Sequence, residues 1–402
     1  MLQSSSQTDY NVSGLNHMQD FAKFHASTLV IDAHADTPQR FVDEGWNFSD
    51  PLNSGMLNLD SAREGNLAAE FFAIWVEPKG WRGRYAYRTL QLIDGVYEQL
   101  RKHPTTMRLG LTPADIVQAH RDRVFCALLG IEGGHSIEAD LGLLRLYHRL
   151  GVRYMTLTWT NTNEWADSSG DLDNPSVHHH NGLNDFGRDV IREMNRLGMM
   201  VDVSHVSDKT FWDVLQTTHA PIIASHSSSR ALTDTLRNLT DEQLCAVATN
   251  NGVVMVNFCT SFIDDNWRTA WAATQPQREP LYAAATAPYL ERGEPVPYSV
   301  FLAIDRAFYA QHLAPTMPLA PFDSLIDHFD HVAKVAGIDH VGIGSDFDGF
   351  SILPAEISSA ADLPKITAAL QQRGYTEEQL KKLLGGNLLR VFADVQAEAA
   401  KE

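Results

Sequence analysis

Two good metal-binding side chains stand two positions apart in the run Val30-Ile31-Asp32-Ala33-His34-Ala35-Asp36. In an extended strand, residues i and i+2 share a face, so His34 and Asp36 converge on one point. Imidazole nitrogen and carboxylate oxygen both suit a borderline divalent ion such as zinc, and two ligands from one strand end make half a site. Asp32 shares that face one layer deeper and is expected to orient His34. Further candidates each follow an apolar run. They are Glu132 before Gly133-Gly134, His205 at the end of Val201-Asp202-Val203-Ser204-His205, His226 at the end of Ile222-Ile223-Ala224-Ser225-His226, and Asp346 with Asp348 in Gly344-Ser345-Asp346-Phe347-Asp348-Gly349. Singly, a His or Asp at a strand end is more often a helix cap or a satisfied core group. Five strand ends aimed at one rim argue for a shared centre.

His34, Asp36, Glu132, His205 and His226 exceed the three or so protein ligands of one catalytic zinc. Because the two oxygens of a Glu can bridge two ions, the natural division puts His34, Asp36 and Glu132 on one and Glu132, His205 and His226 on the other. Paired ions about 3.5–4 Å apart lower the pKa of a bridging water and polarise a substrate oxygen.

Positioning such groups requires a scaffold that gathers strand ends. Short apolar or β-branched runs predict strands at 28–33, 69–76, 124–131, 154–158, 199–203, 221–224, 253–258 and 340–343. Helical periodicity lies between them at 89–102, 141–150, 185–197, 208–217, 241–250 and 323–335. Several of these helices open on an Asp, read as the N-cap. Eight strand and helix units predict a closed (β/α)₈ barrel, whose active sites lie at the strands' C-terminal ends. Residues 160–182, rich in Asn, Asp, Ser and His, read as a long loop. Residues 261–319, with Trp267, Trp271 and many prolines, read as an insertion after the seventh strand, over the barrel mouth or at a subunit contact. C-terminal helices are expected at 361–373, 376–384 and 387–398, packed on the outside. No linker divides residues 1–402, so a single domain is expected.

Composition narrows the function classes. The 402 residues are 44% hydrophobic and 20% charged, and 32 basic against 50 acidic residues give a formal charge of −18. An acidic surface repels phosphate backbones and anionic lipid, which argues against nucleic-acid and membrane-surface partners. No apolar run reaches the roughly eighteen residues of a membrane span. Residues 1–27 lack the basic start and apolar core of a secretory signal, so a cytoplasmic location is expected. Cys126, Cys245 and Cys259 are odd in number and scattered, which fits reduced, buried thiols better than a disulfide framework.

The strings Asp32-Ala33-His34-Ala35-Asp36, Gly130-Ile131-Glu132-Gly133, Trp165-Ala166-Asp167-Ser168, Asp202-Val203-Ser204-His205, Ser225-His226-Ser227-Ser228 and Gly344-Ser345-Asp346-Phe347-Asp348-Gly349 resemble, in order, those of the membrane (renal) dipeptidase family of metallopeptidases. The resemblance implies a two-zinc (β/α)₈ barrel that hydrolyses dipeptides, including those with a C-terminal D-residue, and it implies a homodimer. It puts the metal ligands on the same five residues. Asp346 matches the acid that handles the proton of the attacking water, and Arg237, in Leu236-Arg237-Asn238, matches the arginine that binds the substrate carboxylate. Arg230 is read as structural. Where relatives have a His after the fourth strand, this chain has Trp159, in Leu157-Thr158-Trp159, at a substrate-contacting position. Indole donates one hydrogen bond but relays no proton. His178, His179 and His180 are the candidates for a substitute donor, against the simpler reading of a solvated loop. Two other readings stay open: another amide or lactone hydrolase on the same barrel, and a metal-binding homologue with weakened catalysis.

Overall fold

Nine parallel strands carry the chain in a computed structural model that describes residues 23–399 and 401. They are β1 (Val30–Ala35), β2 (Leu67–Trp75), β3 (Met107–Leu109), β4 (Phe125–Glu132), β5 (Val152–Thr156), β6 (Met200–Asp202), β7 (Ile222–Ala224), β8 (Val253–Val256) and β9 (Val341–Ile343). Except in β3, every strand residue is buried, which is why these runs read as continuously apolar rather than alternating. β2 pairs with both β1 and β4, and the ladder runs on through β5, β6, β7, β8 and β9 back to β1. Eight strands therefore close a (β/α)₈ barrel.

The ninth strand, β3, lies outside that ring and was not expected. β4 is long enough to hold β3 at Phe125–Ala127 and β5 from Leu129 onward on the same edge, so β3 fills the seam below β5. Met107–Leu109 spans three residues, too short for periodicity to signal.

Two expectations need correction. The helices Asp185–Leu197, Asp208–Thr217 and Asp241–Thr249 are capped one residue earlier, by Asn184, Ser207 and Thr240, each accepting from a backbone N–H in the first turn. Their Asp residues sit inside that turn, where a carboxylate favours the positive end of the helix dipole without capping it. The last helix, Asn387–Ala399, does not lie on the outside. Its stripe of Leu388, Val391, Phe392 and Val395 joins a cluster with Ile31, Ala33, Ala69, Phe71, Leu128 and Met255 from the strands. Arg390 donates to the carbonyls of Asn251 and Asp339, just ahead of β8 and β9. The helix thus closes the barrel at the end where strands begin, because an apolar stripe about two turns long needs burial.

Residues 261–319 contain the helices Asp265–Ala272, Gln275–Glu291 and Tyr298–Phe308. Tyr298 reaches the barrel mouth, where its hydroxyl donates to the carbonyl of Gly349 at 3.0 Å. The cysteines are free, but only Cys126 is buried; Cys245 is exposed and Cys259 intermediate. Most of the stretch 1–27 lies outside the described residues; 23–27 are helical. No helix among the described residues is long and apolar enough to cross a membrane.

Candidate metal centre

The strand ends deliver the predicted side chains to one place. His34 lies within β1 and Asp36 just past it, Glu132 ends β4, and His205 and His226 follow β6 and β7. Asp346 and Asp348 follow β9. His205, Asp346 and Asp348 have left-handed backbone, with φ of +69°, +62° and +66°. Two backbone bonds, Asp36 N–H to Phe347 O at 2.8 Å and Asp346 N–H to His34 O at 3.0 Å, lock the β1 and β9 ends together. Gly349 makes this possible, since a Cβ there would lie 2.1 Å from Asp346 Oδ1 and 2.4 Å from Asp36 Oδ2.

Within this cluster the two oxygens of Glu132 face different partners. Oε2 lies 3.4 Å from His34 Nε2, which is itself 3.6 Å from Asp36 Oδ2. Oε1 lies 2.9 Å from His205 Nε2 and 3.4 Å from His226 Nε2, and those two nitrogens are 2.9 Å apart. All five side chains are at least nine-tenths buried.

Hydrogen bonds behind the ligands fix their tautomers. Tyr154 Oη donates to Ala33 O at 3.1 Å, so at the 2.8 Å contact with His34 Nδ1 it accepts, and Nε2 is left as a lone pair. On the other side, Ser225 Oγ donates to Asp202 Oδ2 at 2.6 Å and accepts from His226 Nδ1 at 2.7 Å, with the same result. His34 Nε2 is buried with no hydrogen-bond partner among the described residues. Electron-rich nitrogens and carboxylate oxygens crowded into a dry space repel one another unless a cation lies among them, so the donor set fits a divalent metal.

The electrostatics agree. Burial, then the Arg237 charge, pushes His205 down to about 4. His226 is driven well below its ordinary value by burial and then by His34 and Arg237. Both rings stay neutral, the form that binds metal. Burial alone would raise Glu132, but the His34 charge, then the neighbouring imidazoles of His205 and His226, hold it well below the carboxylate range. Burial would likewise lower His34, but Glu132 and Asp36 raise its proton affinity well above the usual. Proton and metal compete for the same negative charge.

Asp32 does not orient the His34 ring, which Tyr154 holds. Its Oδ1 accepts from the backbone N–H of Ser345 at 2.8 Å and of His34 at 3.4 Å, tying β1 to the β9 loop. Asp346 and Asp348 do not share a face either, because left-handed turns at both replace the extended geometry. Asp346 Oδ2 accepts from Asn257 Nδ2 at 3.0 Å, whereas Asp348 turns to Thr37 and the Met56 N–H. Burial raises Asp346 well above the carboxylate range; His34 opposes this, and Asp36 and Glu132 add to it.

Arg237 is buried and donates to Ser227 Oγ and to His226 O, both at 2.7 Å, beside the ligands. Arg230 clamps Asp208 with two bonds of 2.7 and 2.8 Å. Trp159 is half-buried, its ring 6.5 Å from that of His205. His180 bonds Asn163 O at 2.9 Å and His179 lies 3.7 Å from Asp167, both partners within the same loop. Tyr154, Ser225 and Asn257 were not singled out from sequence. Asn257 carried a signal, being the polar residue within the apolar run 253–258.

The comparisons with known proteins bear on this geometry. Residues 18–402 match the model of the membrane dipeptidase family, peptidase family M19. Among solved structures, the chain is similar to the probable dipeptidase PvdM from Pseudomonas aeruginosa, at 28% identity over 95% of this chain and 98% of that one, with a TM-score of 0.80. It is similar to the metallopeptidase called dipeptidase AC at 27% identity over 92% and 98%, with a TM-score of 0.72. A metallopeptidase from Rhodobacter sphaeroides, liganded with a phosphinate mimic of the dipeptide L-Ala-D-Ala, is 26% identical over 92% and 99%, with a TM-score of 0.71. With a family match over nearly its whole length and a buried centre built for a divalent metal, the chain belongs to the membrane dipeptidase family of metal-dependent dipeptidases.

Proposed function

We propose that the chain hydrolyses the peptide bond of dipeptides at a centre of two zinc ions, with His34, Asp36 and Glu132 holding one and Glu132, His205 and His226 the other. The observation that carries this reading is the split carboxylate of Glu132, one oxygen toward His34 and the other toward His205 and His226. When bound, such ions lower the pKa of a water and polarise a carbonyl oxygen. In this reading Asp346 takes the proton of the attacking water and passes it to the leaving amine. Asn257 holds one oxygen of Asp346, leaving the other to reach the reacting atoms. Arg237 receives the substrate's terminal carboxylate; its Nε has no protein partner among the described residues. Trp159 lines the substrate's approach.

Substrates with a carboxyl-terminal D-residue are included, a reading supported by the L-Ala-D-Ala mimic bound to the Rhodobacter sphaeroides relative. We also read the chain as one domain with 261–319 inserted into it, assembling as a homodimer. The indole of Trp159, in place of a proton-relaying His, is what favours the alternative of weakened catalysis.

The test is zinc content per chain measured together with turnover of L,L and L,D dipeptides and of their carboxyl-terminal amides. About two ions per chain and a strong preference for the free carboxylate are expected. Indifference to amidation overturns the reading.

A further inference from the structure

Three aromatic rings stand over the centre. Trp75 ends β2 directly beside Glu132 in the strand register. Trp159 and Tyr298 both close on it, with ring centroids 4.8 Å from that of Trp75 and planes tilted by 56° and 62°. From Trp159 the wall continues to His205, and from Tyr298 to Gly349 in the loop that carries Asp346. Trp75 is 3% exposed, whereas Trp159 and Tyr298 are half-buried and keep open surface. Such tilted and edge-on contacts hold the three rings together as one apolar wall. The metal-ligand candidates beside them are carboxylates and imidazoles, so these rings give the β2 side of the site an apolar wall, while Phe262 lies 5.5 Å from the Arg237 guanidinium on the other side.

Topology says which end of a dipeptide meets it. In the closed ring of eight strands, β2 and β7 lie four places apart in either direction, on opposite sides of the mouth. Arg237 is tied to the β7 side through His226 O and Ser227. A dipeptide whose carboxylate is held there, with its peptide carbonyl over the centre, extends its amino-terminal residue toward β2.

Resting on the dipeptidase reading, we propose that Trp75, Trp159 and Tyr298 form the subsite for the side chain of the amino-terminal residue, and that this side chain is aromatic or large aliphatic. Indole faces offer a large contact area that loses little rotamer entropy on binding. A charged side chain would shed water there without gaining a partner. Trp159 is then a specificity determinant, since a His at that position would supply a proton and less apolar area.

The experiment uses the zinc-loaded full chain and compares Phe-Ala, Leu-Ala, Ala-Ala, Lys-Ala and Glu-Ala. It also measures, by calorimetry, binding of the phosphinate mimics of Phe-Ala and Ala-Ala, a readout that stands without turnover. Phe-Ala and Leu-Ala are expected to exceed the other three in kcat/KM by about tenfold or more. The Phe mimic is expected to bind about tenfold tighter than the Ala mimic. Trp159→Ala should bring both Phe-to-Ala ratios near unity, mainly through KM, while Trp159→Phe keeps most of them. If Trp159→Ala fails to fold, Tyr298→Ala carries the same expectation. A ratio insensitive to these changes overturns the subsite, as does a preference for Lys-Ala, which would assign the rings to a cation. Absence of turnover for every dipeptide, with the mimics still discriminated, would sink the dipeptidase reading and leave the subsite standing.

Discussion

Glu132 Oε1 lies 2.9 Å from His205 Nε2, the shortest approach between this carboxylate and the histidines around it, while its other oxygen turns to His34. One side chain therefore belongs to both halves of the centre. Glu132→Gln keeps the shape but replaces one of those oxygens with an N–H donor. Metal affinity should fall more than the roughly 10–100-fold typical of losing a supporting hydrogen bond. Metal content after dialysis, measured by mass spectrometry, checks this; near-wild-type retention would remove Glu132 from the ligand set.

Tyr154 and Ser225 act at one remove, by holding the tautomers of His34 and His226. Tyr154→Phe and Ser225→Ala should each weaken zinc binding about 10–100-fold without unfolding the barrel. Competition with a chromophoric chelator reads the affinity, and circular dichroism controls for the fold.

Asp346→Asn is expected to lower kcat by about 10²–10⁴-fold while zinc content stays the same. Asn tolerates left-handed backbone, so φ of +62° at this position is no obstacle to folding. A variant with near-normal kcat would assign the proton transfer to another group.

For Arg237, Arg237→Met should cost a free dipeptide on the order of 2–5 kcal/mol of binding and cost its carboxyl-terminal amide far less. The amide control matters because Arg237 also donates to Ser227 and His226 O, so part of any loss is structural.

Acid should destabilise the fold through two neutral histidines. Burial pushes His328 and His135 down to about 4. His328 Nδ1 accepts the Ser229 N–H at 3.0 Å, a bond that protonation would break. Below the unfolded value near 6.5 the unfolded chain binds protons that the folded chain refuses until about pH 4. Stability is therefore complete above pH 6.5 and falls as the pH drops toward 4, by roughly 3 kcal/mol for each group. Urea unfolding at pH 7 and pH 4.5 measures the loss, and His328→Asn should shrink it.

Much of this architecture was legible in the residues. All eight barrel strands announced themselves because a strand buried on both faces is a plain apolar run. The ligands were legible because each is a polar group at the end of such a run. What stayed hidden depends on contacts between distant segments. Tyr154 reads as an ordinary strand aromatic until β5 is set near β1, and Tyr298 gives no sign of reaching Trp75 from 223 positions away. Asp348 misled for a related reason. Spacing of two implies a shared face only in extended backbone, and the turn after β9 is left-handed at Asp346 and Asp348.

That left-handed backbone at His205, Asp346 and Asp348 costs on the order of 1–2 kcal/mol at each position. The reactive rim thus holds three of the eleven non-glycine residues with positive φ among the described residues, and relief is within reach of a single codon change to glycine or asparagine. Breeding this protein for heat resistance alone would drift toward those exchanges and yield hardier barrels emptied of their chemistry.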